Sequence, residues 1–300
     1  MGISVDILIS IVLAFIMFGI GLSVPASSFR KIFVYPRAMI IGLVSQMVGL
    51  PILAFIIAWL SGLPPAYQVG IVILASCPGG TTSGYLTYLF KGNVALAISI
   101  TAINSFITLI TIPVIVNLGL FVFYGTTTEI HLPVVDTIIK IFTVTILPAA
   151  GGVLFKAWQP ILAKRSEVPL KIVFSLLFAF VLLVMIFKGE TEGGSGITTD
   201  EILKILPVML LINVLSFAMG FISGRLPRLD YQTSFTIGIE VSMQNTTLAF
   251  LVGNTIMHSH DMIKPALVYA MFSFVTALIY SVIIKMINRS PVFGEFREKQ

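Results

Sequence analysis

Residues 70–88 read Gly70-Ile71-Val72-Ile73-Leu74-Ala75-Ser76-Cys77-Pro78-Gly79-Gly80-Thr81-Thr82-Ser83-Gly84-Tyr85-Leu86-Thr87-Tyr88. They end an uncharged run, 38–90, that is long enough for two crossings of a bilayer around the turn signal Ser61-Gly62-Leu63-Pro64-Pro65. Small, polar and helix-breaking residues fill 77–84, the middle of the second crossing. Pro78 removes a backbone donor, and Gly79, Gly80 and Gly84 weaken the helix. Unwound backbone at membrane depth is tolerated only where it is buried in protein or lines a polar cavity. The segment therefore predicts two half-helices around a cavity; the plainer alternative is a proline kink with small residues for close packing.

A second stretch breaks the same rule. Residues 235–252 are apolar at both ends and read Glu240-Val241-Ser242-Met243-Gln244-Asn245-Thr246-Thr247 between them. Glu240 is the one carboxylate placed deep within a crossing. A charge there costs at least ~2.5 kcal/mol on insertion scales, which makes it a functional residue by default. Helical spacing puts Gln244 one turn on, on the same face. The alternative is a protonated Glu that hydrogen-bonds neighbouring helices.

The surrounding composition fixes the class. Apolar residues make up 57% of the 300, and the 18 Lys+Arg with 13 Asp+Glu amount to 10%, where a soluble chain carries about 25%. Mean hydropathy is +1.04. A soluble domain and a disordered chain are both excluded, and continuous rather than alternating apolar stretches argue against a β-barrel. The reading is an all-α membrane protein, one transmembrane domain over 1–300, with about nine transmembrane helices near 5–24, 38–60, 67–90, 94–123, 134–156, 168–187, 202–224, 232–256 and 265–287. Arg30, Lys31, Arg37, Lys91, Lys156, Lys164, Arg165, Arg225, Arg228, Lys285, Arg289, Arg297 and Lys299 fall on one side, with little beyond Lys188 and Lys264 in the loops opposite. That bias predicts an outside N-terminus and a cytoplasmic C-terminus in a cell (inner) membrane. The net charge of +5 then marks membrane anchors, not nucleic-acid binding, and nothing marks an obligate protein partner. The single cysteine, Cys77, excludes an internal disulfide. His131, His258 and His260 read as solvated loop residues, Trp59 as an interfacial anchor, and Pro51, Pro113, Pro148 and Pro207 as kinks.

Two interrupted segments of opposite direction, in matching places of two halves, point to an inverted repeat with its binding site where the interruptions meet. Repeat 1 would cover about 1–124 and repeat 2 about 134–290, with the fifth span as linker. Half-helix N-termini near Ser83 and Asn245 favour an anionic group. Freed carbonyls, Glu240 and side-chain oxygens favour a hard cation such as Na⁺. No cationic side chain is expected deep in the core.

Cys77-Pro78-Gly79-Gly80-x-x-Ser83, then Lys91-Gly92-Asn93-Val94-Ala95-Leu96, then Glu240-Val241-x-Met243-Gln244-Asn245 resemble the bile acid:sodium symporter family across nearly the whole chain. The resemblance implies a panel domain, a core domain with two broken crossing helices, and a sodium-coupled symporter of organic anions such as bile acids or smaller carboxylates, working by alternating access. It also implies that the chain begins at the second helix of ten-helix bacterial relatives. One sodium site would use side-chain oxygens of Gln46, Glu240 and Gln244 with the backbone carbonyls of Val241 and Met243. The other would use Ser83, Thr101 and the shared Glu240, but Gly84 and Ala97 stand where the family has two further ligands. A weakened or altered first site is expected unless Asn104, Ser105 or Thr82 compensates. The anion would meet Thr81, Thr82, Asn245 and Thr246.

Other functions fit less well. A proton-coupled antiporter would want a second acid or a Lys in the core. An arsenite-type metalloid exporter would use the Cys77 thiol. An intramembrane enzyme would need a base near Ser83 or Ser242, and no His, Lys or Asp lies deep enough.

Overall fold

The computed structural model describes residues 5–23, 36–79, 81–125, 131–189 and 194–289. Arg30, Lys31, Gly80, Arg297 and Lys299 lie outside them, as do the side chains of Thr81 and Arg289. All elements among the described residues are helices. They are α1 (Val5–Ser23), α2 (Pro36–Leu60), α3 (Pro65–Ala75), α4 (Thr81–Leu89), α5 (Val94–Tyr124), α6 (Val134–Trp158), α7 (Pro160–Phe187), α8 (Thr199–Arg225), α9 (Tyr231–Ser242), α10 (Thr246–Phe250, continued by a π-helical turn Leu251–Ile256) and α11 (His260–Arg289). Six of these, α2, α5, α6, α7, α8 and α11, are long and apolar enough to cross a membrane; Ile7–Leu22 and Pro65–Ala75 are shorter apolar helices.

The half-helices lie at the centre. Tyr67–Ala75 of α3 and Thr233–Ser242 of α9 are buried at every position, as expected of helices with no face toward solvent or lipid. α9 packs on α8, α3 packs on α11, α5 and α2, and α1 packs on α6 and α7. Lipid-length helices with exposed Ile110, Val114, Leu176 and Phe180 surround them.

Proline shapes two of the long helices in a way more specific than a kink. Ser45–Gly49 of α2 and Phe142–Ile146 of α6 are π-helical, and Pro51 and Pro148 each follow two residues later. A proline ring cannot donate and pushes on the carbonyl four residues back, so the preceding turn widens. The Leu50 amide reaches back five residues to Ser45, and the Leu147 amide to Phe142.

Two expectations fail here. The sixth span starts at Pro160, not at 168, because Gln159 alone breaks the path and Pro160 suits a first helical turn; Lys164 and Arg165 are thus helical, not in a loop. Lys264 is not a loop charge: it is buried in the first turns of α11, and it pairs with Glu201 at 2.8 Å and Asp261 at 2.7 Å. A buried cation persists only when paired and hydrogen-bonded. Glu201 also accepts from the Tyr67 hydroxyl and completes a capping box with Thr198, so this cluster ties the starts of α3, α8 and α11 together.

α1 and α6 approach closely through glycine. A Cβ on Gly21 would run into the Ala149 carbonyl, and one on Gly152 into the Phe18 carbonyl. A Cβ on neighbouring Gly151 would find only the Phe18 ring at 3.8 Å. Gly152→Ala is expected to cost about 1–3 kcal/mol by overpacking, and Gly151→Ala to cost little. Melting curves of the two variants in detergent check this, and equal melting temperatures would contradict the contact.

Candidate functional site

Both interrupted spans are broken, and the breaks are shorter than the sequence suggested. α3 runs out through Ser76 and Cys77, whose amides still donate to helical carbonyls, and Pro78 ends the ladder. α4 begins at Thr81, so Thr82, Ser83 and Gly84 are already helical. In the second segment α9 stops at Ser242, Met243 is extended, and Asn245 caps α10 by accepting from the Leu248 amide at 3.0 Å. Gln244 therefore does not share a helical face with Glu240, since the helix ends between them.

The two breaks touch. The Asn245 amide donates to the Cys77 carbonyl at 3.3 Å. Gly79 lies against the Met243 carbonyl, and a Cβ there would also come within 3.4 Å of the Glu240 carbonyl. A side chain at residue 79 would force the two unwound backbones apart.

Ending a helix strips its last carbonyls of partners. Here side chains replace them. The Glu240 carbonyl accepts from Gln46 Nε2 at 3.1 Å, and the Val241 carbonyl from Gln244 Nε2 at 2.7 Å. The Ser242 carbonyl accepts from Asn213 Nδ2 at 3.3 Å and from the Tyr269 hydroxyl. Asn213 and Tyr269 were not anticipated. The available signal was an Asn inside an apolar span, which is costly unless it is paired.

The Glu240 carboxyl group is fully buried. The Thr101 hydroxyl donates to Oε2 at 2.8 Å, and Ser83 reaches the same group. Oε1 has no hydrogen-bond donor, and no ion pair to Glu240 is present among the described residues. Gln46 approaches from the π-helical turn of α2, and Asn104 Nδ2 donates to its Oε1 at 2.5 Å. Gln244 Oε1 and Asn104 Oδ1 are likewise buried without a donor. The neighbourhood is thus rich in oxygen acceptors and poor in donors, with one acid among neutral amides. That chemistry suits a hard monovalent cation. Among the described residues there is no cluster of three or more His, Cys, Asp or Glu. The Cys77 thiol is fully buried.

The sodium candidates Gln46, Ser83, Thr101, Glu240, Val241, Met243 and Gln244 are brought into this one region. Of the anion candidates, Asn245 is the one that lines a cavity among the described residues. Asn245 lines a narrow crevice with Pro78 and Thr101, faced by Met17 and Ile20 of α1 and Thr145 of α6. Thr246 is buried, Thr82 is exposed, and the Thr81 side chain lies outside the described residues. In the crevice Ser105, Thr108 and Thr145 each donate to a carbonyl of their own helix, at 2.8, 3.1 and 2.6 Å, which leaves their lone pairs to face inward.

Comparison with known proteins agrees with this chemistry. Residues 10–193 match the profile of the Sodium Bile acid symporter family. An uncharacterized sodium-dependent transporter of Bacillus subtilis, YocS, is 30% identical over 80% of this chain and 71% of its own length. A probable chloroplastic sodium/metabolite cotransporter of Oryza sativa, BASS2, is 30% identical over 82% of this chain and 56% of its own length. The ileal sodium/bile acid cotransporter of Mus musculus is 24% identical over 90% and 76%.

The contact between the breaks predicts opposite outcomes for two glycines five residues apart. Gly79→Ala is expected to lower the melting temperature by several degrees, because carbonyls cannot swing away as a flexible side chain can. A Cβ on Gly84 meets nothing within 4 Å, so Gly84→Ala is expected to be neutral or to gain up to ~1 kcal/mol of helix propensity.

Proposed function

Because the chain belongs to the Sodium Bile acid symporter family, as its match over residues 10–193 establishes, we propose that it is a secondary active transporter, not an enzyme, coupling inward Na⁺ flow to uptake of an organic anion by alternating access. One observation carries the reading: Glu240 is buried beside several unpaired oxygens and, among the described residues, has no cationic side chain to balance it.

In this reading nine crossings form one transmembrane domain, with α3–α4 and α9–α10 counting as one crossing each. The helices within residues 1–124 and those of 134–290 that follow α6 are inverted repeats, and α6 links them. α1, α6 and α7 are the panel; the remaining helices are the core. The protein sits in the cell (inner) membrane with the N-terminus outside and the C-terminus in the cytoplasm. Gln46, Glu240 and Gln244 with the Val241 and Met243 carbonyls hold one Na⁺. Ser83, Thr101 and Glu240 hold another, less well supplied because Gly84 and Ala97 offer no oxygen.

The anion binds at the crevice beside the crossing, with Asn245 foremost and with Thr81, Thr82 and Thr246 at the neighbouring helix starts. Hydroxyls that already donate to their own backbone cannot also donate to a carboxylate. The anion therefore depends on helix N-termini and on co-bound Na⁺. Sodium turns the carboxylate region from repulsive to neutral, the anion then binds better, and by linkage the anion tightens sodium.

A thermal-shift screen of bile acids, small carboxylates and sulfonates, in NaCl and in KCl, tests this. One anion class is expected to stabilise the protein only with Na⁺. A ligand at a hundred times its Kd adds about 2.7 kcal/mol, which such a screen resolves. Glu240→Ala is expected to remain folded and to lose the sodium shift; a sodium shift equal to that of the parent would refute the assignment.

A further inference from the structure

We infer that Asn104 is a direct Na⁺ ligand of this chain, supplying an oxygen that Gly84 and Ala97 do not. The inference rests on the sodium-transport reading and extends it to a residue outside the two ligand sets given above.

Of the three neighbours able to compensate, the structure separates one. Thr82 is exposed. Ser105 donates to the Thr101 carbonyl and faces the crevice. Asn104 is fully buried, three residues beyond Thr101 on α5 and so on the same helical face.

The direction of its amide follows from hydrogen-bond polarity. The Glu240 backbone carbonyl can only accept. It takes the Gln46 Nε2 hydrogen at 3.1 Å, which turns Gln46 Oε1 the other way. That oxygen can only accept, so Asn104 must present Nδ2 to it, and does. The chain Asn104→Gln46→Glu240 is therefore directional, and it ends on Asn104 Oδ1. This oxygen is buried and meets no donor. An unsatisfied buried acceptor is costly, and Glu240, which the same chain of contacts reaches through Gln46, also carries a buried oxygen without a donor, Oε1. Two acceptors that face no hydrogen are satisfied together by a cation. A carbonyl oxygen has two lone pairs, so Gln46 Oε1 can hold the Asn104 hydrogen and still coordinate Na⁺.

A purely structural role for Asn104, as the donor that orients Gln46, predicts different behaviour. Asn104→Asp keeps an oxygen at Oδ1 and removes the donor; Asn104→Leu keeps the approximate shape and removes both. Purified parent and variants are titrated with NaCl and with LiCl at constant ionic strength while the melting temperature is followed. For the ligand role, Asn104→Leu raises the half-maximal NaCl concentration at least tenfold with a similar melting temperature in KCl. Asn104→Asp keeps a sodium response and changes the Li⁺/Na⁺ preference, since the ligand field has changed. Equal loss in both variants, or a parental titration in Asn104→Leu, overturns the inference and leaves the transport reading intact. If Asn104→Leu does not fold, Asn104→Asp decides alone: a retained sodium response supports the role, because the oxygen is kept while the donor to Gln46 is gone, and a lost sodium response overturns it. Absence of any sodium response in the parent removes both the inference and the reading beneath it.

Discussion

Everything at the centre of this molecule follows from two helices that stop in the same place. Stopping a helix inside an apolar protein exposes carbonyls and amides that water cannot reach. The protein meets that demand by setting one break against the other, amide of Asn245 on carbonyl of Cys77, and by bringing amide side chains from α2 and α8 to the carbonyls left over. The glycine at residue 79 is required because the Met243 and Glu240 carbonyls and the Ser83 hydroxyl already occupy the space that its side chain would fill. Pro78 and Gly79 thus have separate duties. The proline ends the hydrogen-bond ladder, and the glycine lets the ends meet.

The same arrangement leaves Glu240 without a charged partner among the described residues. The hydrogen bonds it receives come from hydroxyls of α5 and α4, which stabilise a carboxylate without neutralising it. Lys264 offers an internal contrast. It is also buried, but Glu201 and Asp261 both lie within 2.8 Å of it, so its cost is met within the chain. One buried charge is closed and holds three helix ends together; the other is open. An open buried carboxyl group suits the reversible cation site proposed for Glu240, because a permanent partner would compete with an ion that comes and goes.

Much of this was legible in the sequence, for a physical reason. A membrane span is a long uniform pattern, and departures such as Cys77-Pro78-Gly79-Gly80 or Glu240 stand out against it. The positions of both breaks and the burial of Glu240 were readable on that basis, whereas Thr101 beside Glu240 came only from the family resemblance. Hidden features were those set by rotation rather than composition. Pro51 and Pro148 were visible as kinks, but composition does not distinguish a kink from a π-helical turn, and the turn at Ser45–Gly49 decides which way Gln46 points. Asn104 and Asn213 were two among several polar residues in apolar helices; only the carbonyls that they face distinguish them. The start of α7 at Pro160 was misplaced because Lys164 and Arg165 resemble a loop, whereas basic side chains at the end of a membrane helix reach the interface from within it.

The crevice joins these strands into one argument about coupling. Its hydroxyls have spent their hydrogens on their own helices, and Asn245 uses its side-chain oxygen to cap α10. What remains available for an anion is the Asn245 side-chain NH2 group and the dipoles of helix starts, weak attractions of ~0.3–1 kcal/mol each. Against them stands a carboxylate sharing Thr101 with the crevice wall. In the transport reading proposed above, a like charge this near would oppose an anion until a cation offset it, so electrostatics alone would make affinity for the anion conditional on sodium. No movement between the two sites is needed for that dependence. The short distance would be enough, because Thr101 belongs both to the crevice wall and to the hydrogen bonding of the Glu240 carboxyl group.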